Sequence, residues 1–272
     1  MEKSKIKISV LMSVYNEKEE YLRRAIRSIL FQTFPGFEFI IVDDGSTEKK
    51  CCEILEEYAK IDPRVTLIKN EKNLGLTKSL NKGIRTARGE LIARIDSDDI
   101  ADVHRLENQL EFMEKNKNYA LCGSWSYLID GNGDIIEEKK LFTDYEKIKK
   151  NLLFFNFFTH SSIFFRKDII EKLGGYNEKL KKAQDYDLIL KISAHHAVAN
   201  IPKFLCFNRI WPESITSKTK KKQEWYGLIA RWHAIWSYGY PKRYFFKIIP
   251  SVLYFLFIPH FLEKKLFKLI WK

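Results

Sequence analysis

The chain of 272 residues has little of what marks fibrous, disordered or cross-linked proteins. Glycine and proline number 12 and 7, too few for a collagen-like or low-complexity chain. The four cysteines, Cys51, Cys52, Cys122 and Cys206, form no Cys-x-x-Cys pair, so neither a disulfide scaffold nor a zinc frame is supported. Reduced, buried thiols in a cytoplasmic protein are expected instead. There is no Gly-x4-Gly-Lys-Ser/Thr, no Gly-x-Gly-x-x-Gly and no His-Glu-x-x-His. P-loop hydrolysis, dinucleotide-dependent redox chemistry and zinc proteolysis lose their usual signatures. No apolar run reaches the roughly 20 residues of a membrane-spanning helix. In the aromatic stretch 244–271 the longest uncharged run covers 248–262, interrupted by Pro250 and Pro259. Residues 1–14 are too short and too soon charged for a signal peptide, and read better as a first strand.

What is present is 45% apolar residues with 14% aromatics, enough for a core, and a net charge of +12. Twelve basic and only two acidic side chains lie from Lys218 onward, so that tail carries +10 and residues 1–217 carry +2. Nucleic-acid binding would need the charge on the body, so a nucleic-acid module is disfavoured.

Apolar periodicity predicts strands at 6–14, 37–42, 65–69 and 90–95, alternating with helices at 19–31, 48–61, 77–88 and 106–115. Such β-α alternation implies an α/β fold with a Rossmann-like, mostly parallel sheet flanked by helices. Beyond residue 119 the pattern is mixed, with strands expected at 120–129, 152–158 and 161–165 and a helix at 185–195. Open sheets of this kind bind ligands beyond the carboxyl ends of their strands. Acidic groups stand at three such ends: Glu17, then Asp43 and Asp44, then Asp96, Asp98 and Asp99. On an extended chain Asp96 and Asp98 would point to one side, a hard-oxygen pair suited to Mg²⁺ or Mn²⁺. Alone an Asp-x-Asp is a weak signal, equally a polar turn in which Asp99 caps the next helix. Asp185 opens a helix and is either its N-cap or a general base; spacing does not choose between them.

Taken together, the blocks 8-ISVLMSVYNE-17, 39-FIIVDDGST-47, Asn73-Leu74-Gly75, Asn81-Lys82-Gly83, 87-ARGE-90, 96-DSDD-99, 173-LGGY-176 and 184-QDYDL-188 resemble family 2 glycosyltransferases, inverting enzymes of the GT-A fold, of the bacterial surface-polysaccharide type. The resemblance covers roughly residues 6–195. It implies a GT-A catalytic domain over 1–217, with a mixed acceptor-side half, and a helical basic tail over 218–272. It further implies that Tyr15 and Glu17 line the nucleotide pocket, that Asp44 meets the uracil of a UDP-sugar, and that Asp96 contacts the ribose or metal region. Asp98 would hold a divalent cation, Mn²⁺ or Mg²⁺, and Asp185 would deprotonate the acceptor hydroxyl. The product would be one sugar added to a lipid-linked or surface-glycan acceptor.

Three departures stand out. Gln184 replaces the acidic neighbour that often precedes the base. Trp211 stands where relatives often carry histidine, which leaves Arg209 to pair with phosphate. Leu228 precedes Arg231-Trp232 where processive synthases have glutamine. The aromatic, basic tail reads as an interfacial anchor on an anionic leaflet, or as a helix packed on the body, and lysines 218–222 as a loop near the donor phosphates. An enzyme peripheral to the inner membrane face is expected. A sugar nucleotidyltransferase is the alternative, disfavoured because Tyr15-Asn16-Glu17 occupies the place of its glycine-rich loop.

Overall fold

A computed structural model describes residues 6–210 and 220–257. Its strands are β1 (Ile8–Val14), β2 (Phe37–Asp43), β3 (Val65–Lys69), β4 (Leu91–Arg94), β5 (Ile100–Ala101), β6 (Tyr119–Ile129), β7 (Ile135–Lys139), β8 (Phe164–Arg166) and β9 (Ala197–Arg209). They form one sheet in the order β3-β2-β1-β4-β8-β6-β9-β5, with β7 added beside β6. The first four in this order are parallel. β8 then enters antiparallel between β4 and β6, while β6 and β9 run parallel along almost their whole length.

Side-chain alternation explains the two layers. Ile8, Val10, Met12 and Val14 of β1 enter one core with helices α1 (Glu19–Leu30), α2 (Lys49–Ile61) and α4 (Arg105–Lys115). Leu11, Ile40 and Val42 enter the opposite core with α3 (Leu76–Thr86) and α7 (Gln184–Ser193). Strands buried on both faces read as nearly unbroken apolar runs, which is why this half of the sheet is visible in the sequence.

The β-α order expected for the first hundred residues is observed. Three later expectations change. Residues 152–158 are not a strand: they follow α5 (Tyr145–Asn151) as a turn and irregular segment whose Leu152, Leu153, Phe157 and Phe158 are buried. Of 161–165, the first part is a 3-10 turn (His160–Ser162) and only Phe164 onward is strand, leading into α6 (Lys167–Lys172). Asp99 caps no helix, because β5 intervenes and His104 precedes α4.

The tail divides. Helix α8 (Lys220–Trp236) packs along α7 and buries Leu228, Ala230, Ala234 and Ile235 in the core that holds Leu11 and Ile40. Helix α9 (Phe245–Phe257) adds Ile248 to the same core and runs through Pro250 without ending. The expected boundary at 217/218 thus falls between a strand and a helix that share one core. Lys220 to Lys222, expected in a loop, begin α8. Trp211, Ser214, Ile215, Thr216, Lys218 and residues 258–272 lie outside the described residues. No described helix is long and apolar enough to cross a membrane.

Candidate functional site

Because β1, β2 and β4 are parallel and in register, their carboxyl ends reach one edge of the sheet together. At this edge Asn16 takes a left-handed backbone conformation, φ 49°, and turns its side chain onto the next crossover. Its Oδ1 accepts from the N–H groups of Thr47 and Glu48 at 2.8 and 2.9 Å. The neighbouring Tyr15 is half exposed. Asp44 is buried, and its carboxylate accepts from Asn70 Nδ2, Leu74 N, Gly75 N and Ser79 Oγ, each at 2.8 or 2.9 Å. Its visible work is to fasten the loop that opens α3. Gly45 is required there: its φ is +74°, and a Cβ would strike the backbone of Lys72.

Beyond β4 the chain turns at Ser97-Asp98, so the carboxylates of Asp96 and Asp98 stand on one short turn and feel each other's charge. The two carboxylates have separate environments. Asp96 is held by the buried Arg94 through two hydrogen bonds and by Ser161 Oγ at 2.8 Å. Burial, the largest single effect, would raise the Asp96 pKa, but the Arg94 charge together with the hydrogen bonds of Arg94 and Ser161 brings the net shift downward. Among the described residues no cation pairs with Asp98. Its pKa is pushed up to about 8, first by burial and then by the charges of Asp99, Asp96 and Glu17. Glu17 is raised as well, chiefly by burial, although Ser97 Oγ donates to it at 2.9 Å. Asp99 rises to about 6 through burial and the Asp96 charge, while bonding Asn208 Nδ2 and Arg209 N, both at 2.7 Å.

Arg209 ends β9 beside the Asp98 turn. It is buried, donates to the carbonyls of Asp98, Asp130 and Gly131, and lies 4.3 Å over the Tyr21 ring. These bonds join the end of β9 to the Asp98 turn, while Arg209 Nη2 has no hydrogen-bond partner among the described residues.

Asp185 is the second residue of α7. Ala183 occupies the N-cap position with φ 53° and offers no capping side chain, so the N-cap reading of Asp185 falls. Its Oδ2 accepts from Asn156 Nδ2 at 3.1 Å. Burial raises its pKa, against the lowering effect of the Tyr186 N–H and the Arg94 charge. It therefore lies within electrostatic reach of the Arg94–Asp96 pair. His160 and Tyr176 join the same neighbourhood through a 2.9 Å hydrogen bond. Burial and then Arg94 hold His160 well below the usual histidine range, so it is neutral.

The helix carrying Asp185 is braced from behind. The fully buried Asp187 accepts from Tyr238 Oη at 2.9 Å and meets His233 Nδ1 at 3.1 Å. Arg231 Nη2 donates to Phe154 O at 3.0 Å, and its guanidinium lies over the Tyr186 ring. Sequence reasoning missed Arg94, Ser161, His160 and this brace. Arg94 had a signal: a cation inside the apolar run 91–95 is almost never buried unless paired.

An edge with an ion pair on a buried arginine, one carboxylate unpaired among the described residues and one half-buried carboxylate on a helix is suited to binding a cation with an anion and to accepting a proton. Comparison with known proteins identifies the fold and the family. A 19%-identical structure of TarS from S. aureus bound to UDP-GlcNAc superposes with a TM-score of 0.69, covering 98% of this chain and 76% of that one. A mannosyltransferase from Pyrobaculum calidifontis with GDP-Man and Mn²⁺ gives 0.68 at 17% identity, covering 92% and 69%. The architecture is the GT-A fold. An uncharacterised glycosyltransferase of Methanocaldococcus jannaschii is 38% identical over 94% of this chain and 91% of its own length. An O-antigen biosynthesis glycosyltransferase of Escherichia coli is 37% identical over 68% and 71%. Residues 9–174 match the model of the glycosyl transferase family 2, and the chain belongs to that family of glycosyltransferases.

Proposed function

We propose that this glycosyltransferase moves one sugar from a UDP-linked donor to a hydroxyl of a lipid-linked or surface-glycan acceptor, with inversion and with a divalent cation. The observation that carries the reading is the division of labour among the carboxylates. Asp96 is neutralised by Arg94, Asp98 meets no cation among the described residues, and Asp185 stands on a separate, braced helix.

The donor set fits a divalent ion. Asp98 is a hard oxygen ligand in a patch of unbalanced negative charge, while both Asp96 oxygens already bind Arg94. Among the described residues no three acidic, histidine or cysteine side chains cluster as a preformed cage. Mg²⁺ and Mn²⁺ often bind in this way, taking the remaining ligands from water and substrate phosphates. Asp98 would hold the ion, which when bound acts as a Lewis acid on the departing diphosphate.

Asp185 then takes the acceptor hydroxyl proton as that oxygen bonds the anomeric carbon and the diphosphate leaves with the electron pair of its C–O bond. One base opposite one leaving group gives a single displacement, and hence inversion, through an oxocarbenium-like state. Holding donor and acceptor at fixed positions supplies much of the remaining rate. The relatives support the substrates: TarS is described with UDP-GlcNAc, the archaeal mannosyltransferase with Mn²⁺, and one relative with O-antigen biosynthesis.

Peripheral membrane contact belongs to this proposal. Trp232, Trp236, Phe245, Phe246 and Leu253 are exposed on α8 and α9 beside the exposed Lys242 and Arg243. Aromatic and basic residues together suit an anionic lipid surface.

The test is turnover and binding of Asp185→Asn with UDP-sugars and Mn²⁺. Transfer should fall at least about 100-fold, the usual contribution of a positioned base, with donor binding retained. Full turnover by the variant, or wild-type turnover that persists in EDTA, would refute the corresponding role.

A further inference from the structure

Among the described residues, one lysine beside the site has no partner. β7 runs antiparallel to β6 with Lys139 opposite Ser126, and Ser126 lies opposite Cys206 on β9. Residues directly opposite across strands project to the same face of a sheet. The hydrogen bonds of that face identify it. Ser126 Oγ and Thr159 Oγ1 are 3.3 Å apart, and Cys206 Sγ donates to the carbonyl of Ser161, the residue that binds Asp96.

The residue following Lys139 takes the opposite face. Lys140 pairs with Glu138 at 2.7 Å and lies over the rings of Trp125 and Phe204. Lys139 itself is half-buried and, among the described residues, makes no ion pair and no hydrogen bond. Burial lowers its pKa, against the attraction of Asp185 first and Asp99 second. The ammonium thus stands in electrostatic reach of both the helix-borne carboxylate and the turn that carries Asp98. A partly desolvated ammonium without a partner is unfavourable, and an incoming anion removes the penalty.

We propose that Lys139 binds a phosphate oxygen of substrate at the junction between Asp98 and Asp185. The phosphate comes from the donor diphosphate or from a phosphate-bearing lipid acceptor. A compact ammonium suits a phosphate as a point charge. Lys139 adds a mobile cation to that of Arg209, whose Nε and Nη1 are held on three carbonyls. The inference rests on the transferase reading of the site and adds a ligand to it.

The test is calorimetric binding by the full chain of UDP-GlcNAc and GDP-mannose with Mn²⁺, and of a short polyprenyl phosphate in neutral detergent micelles. Wild type is compared with Lys139→Met, Lys139→Gln, Lys139→Arg and Lys140→Met. The two neutral variants should bind at least one ligand about tenfold more weakly, as expected for a lost charge-assisted hydrogen bond. Lys139→Arg should recover most of the loss, and Lys140→Met should match wild type. A loss confined to the nucleotide sugars assigns Lys139 to the donor, and a loss confined to the polyprenyl phosphate assigns it to the acceptor. Unchanged affinity of Lys139→Met and Lys139→Gln for every ligand that wild type binds would overturn the inference. If Asp98→Asn then still lost nucleotide-sugar affinity, the transferase reading would stand without it; a wild type that binds none of these ligands would remove both.

Discussion

Replacing Asp98 by asparagine should make the metal-free protein more stable while spoiling its ligand response. In the fold the Asp98 pKa is about 8, whereas an aspartate in an unfolded chain titrates near 3.9. Because the folded value is the higher, its contribution to stability is full below about pH 4 and is lost as pH rises toward 8. At pH 7 the chain has passed through about three of these pH units at about 1.4 kcal/mol each, a ceiling of about 4 kcal/mol. Asp99, Asp96 and Glu17 share the repulsion and water reaches part of the turn, so about 1–2 kcal/mol is the expected gain on removing the charge. For a domain of this size each kcal/mol moves Tm by about 2–4 °C, giving a rise of about 2–8 °C. The assay is a thermal melt in EDTA at pH 7 and at pH 4, repeated at pH 7 with Mn²⁺ and UDP. Asp98→Asn should melt higher than wild type at pH 7 and alike at pH 4. Mn²⁺ with UDP should raise the wild-type Tm and leave that of the variant unmoved. An equal or lower Tm for the variant at pH 7 in EDTA would refute the claim that Asp98 is an uncompensated charge.

Three further outcomes follow from the same geometry. Burial raises the Asp185 pKa, so the acid limb of kcat should lie above the ordinary carboxylate range, with activity rising through that pKa and level above it; a limb at or below pH 4 in the pH profile would count against the role. Arg94→Met strands a carboxylate built to bind a cation. Removing one partner of a buried pair costs about 3–5 kcal/mol, and because the Asp96 side chain is 36% exposed the loss in urea melts should fall toward the lower end. Trp232→Glu with Phe246→Glu should abolish co-sedimentation with phosphatidylglycerol vesicles while neutral vesicles bind neither protein; equal sedimentation of variant and wild type would exclude this face as the contact.

The sheet edge was legible because its signals are local. Each of the first strands is an apolar run that stops at an acid, and a parallel sheet collects such stops at one edge. Of the later strands, β6 was read at 120–129 and β8 in part, while β7 and β9 were not legible for a physical reason. β7, Ile135–Lys139, is exposed along most of its length and lies at the margin of the sheet, so it has no apolar run to betray it. β9, Ala197–Arg209, has polar residues Asn200, Lys203 and Asn208 inside it, because its bulged pairing with β6 twists them out of a simple alternation. Residues 152–158 err the other way: Leu152, Leu153, Phe157 and Phe158 are apolar because they fill the space beneath α5 and α7, and burial without extension leaves the same trace as a strand.

The deeper limit concerns charge. The sequence shows where carboxylates and cations stand along the chain, and says nothing of which ones meet. Asp96 and Asp98 look equivalent in the row Asp96-Ser97-Asp98, yet one is neutralised by Arg94 and the other by nothing described. Arg209 has Nε and Nη1 tied to three carbonyls, while Lys139, unremarkable in the row Glu137-Glu138-Lys139-Lys140, has no partner among the described residues beside the site. Two neighbours of one type therefore acquire opposite functions because strand alternation sends Lys140 to the aromatic outer face and Lys139 inward. In this protein the chemistry follows from what each charge has failed to pair with in the fold, and the unpaired groups, Asp98 and Lys139, are the two that a metal-bound diphosphate would satisfy together.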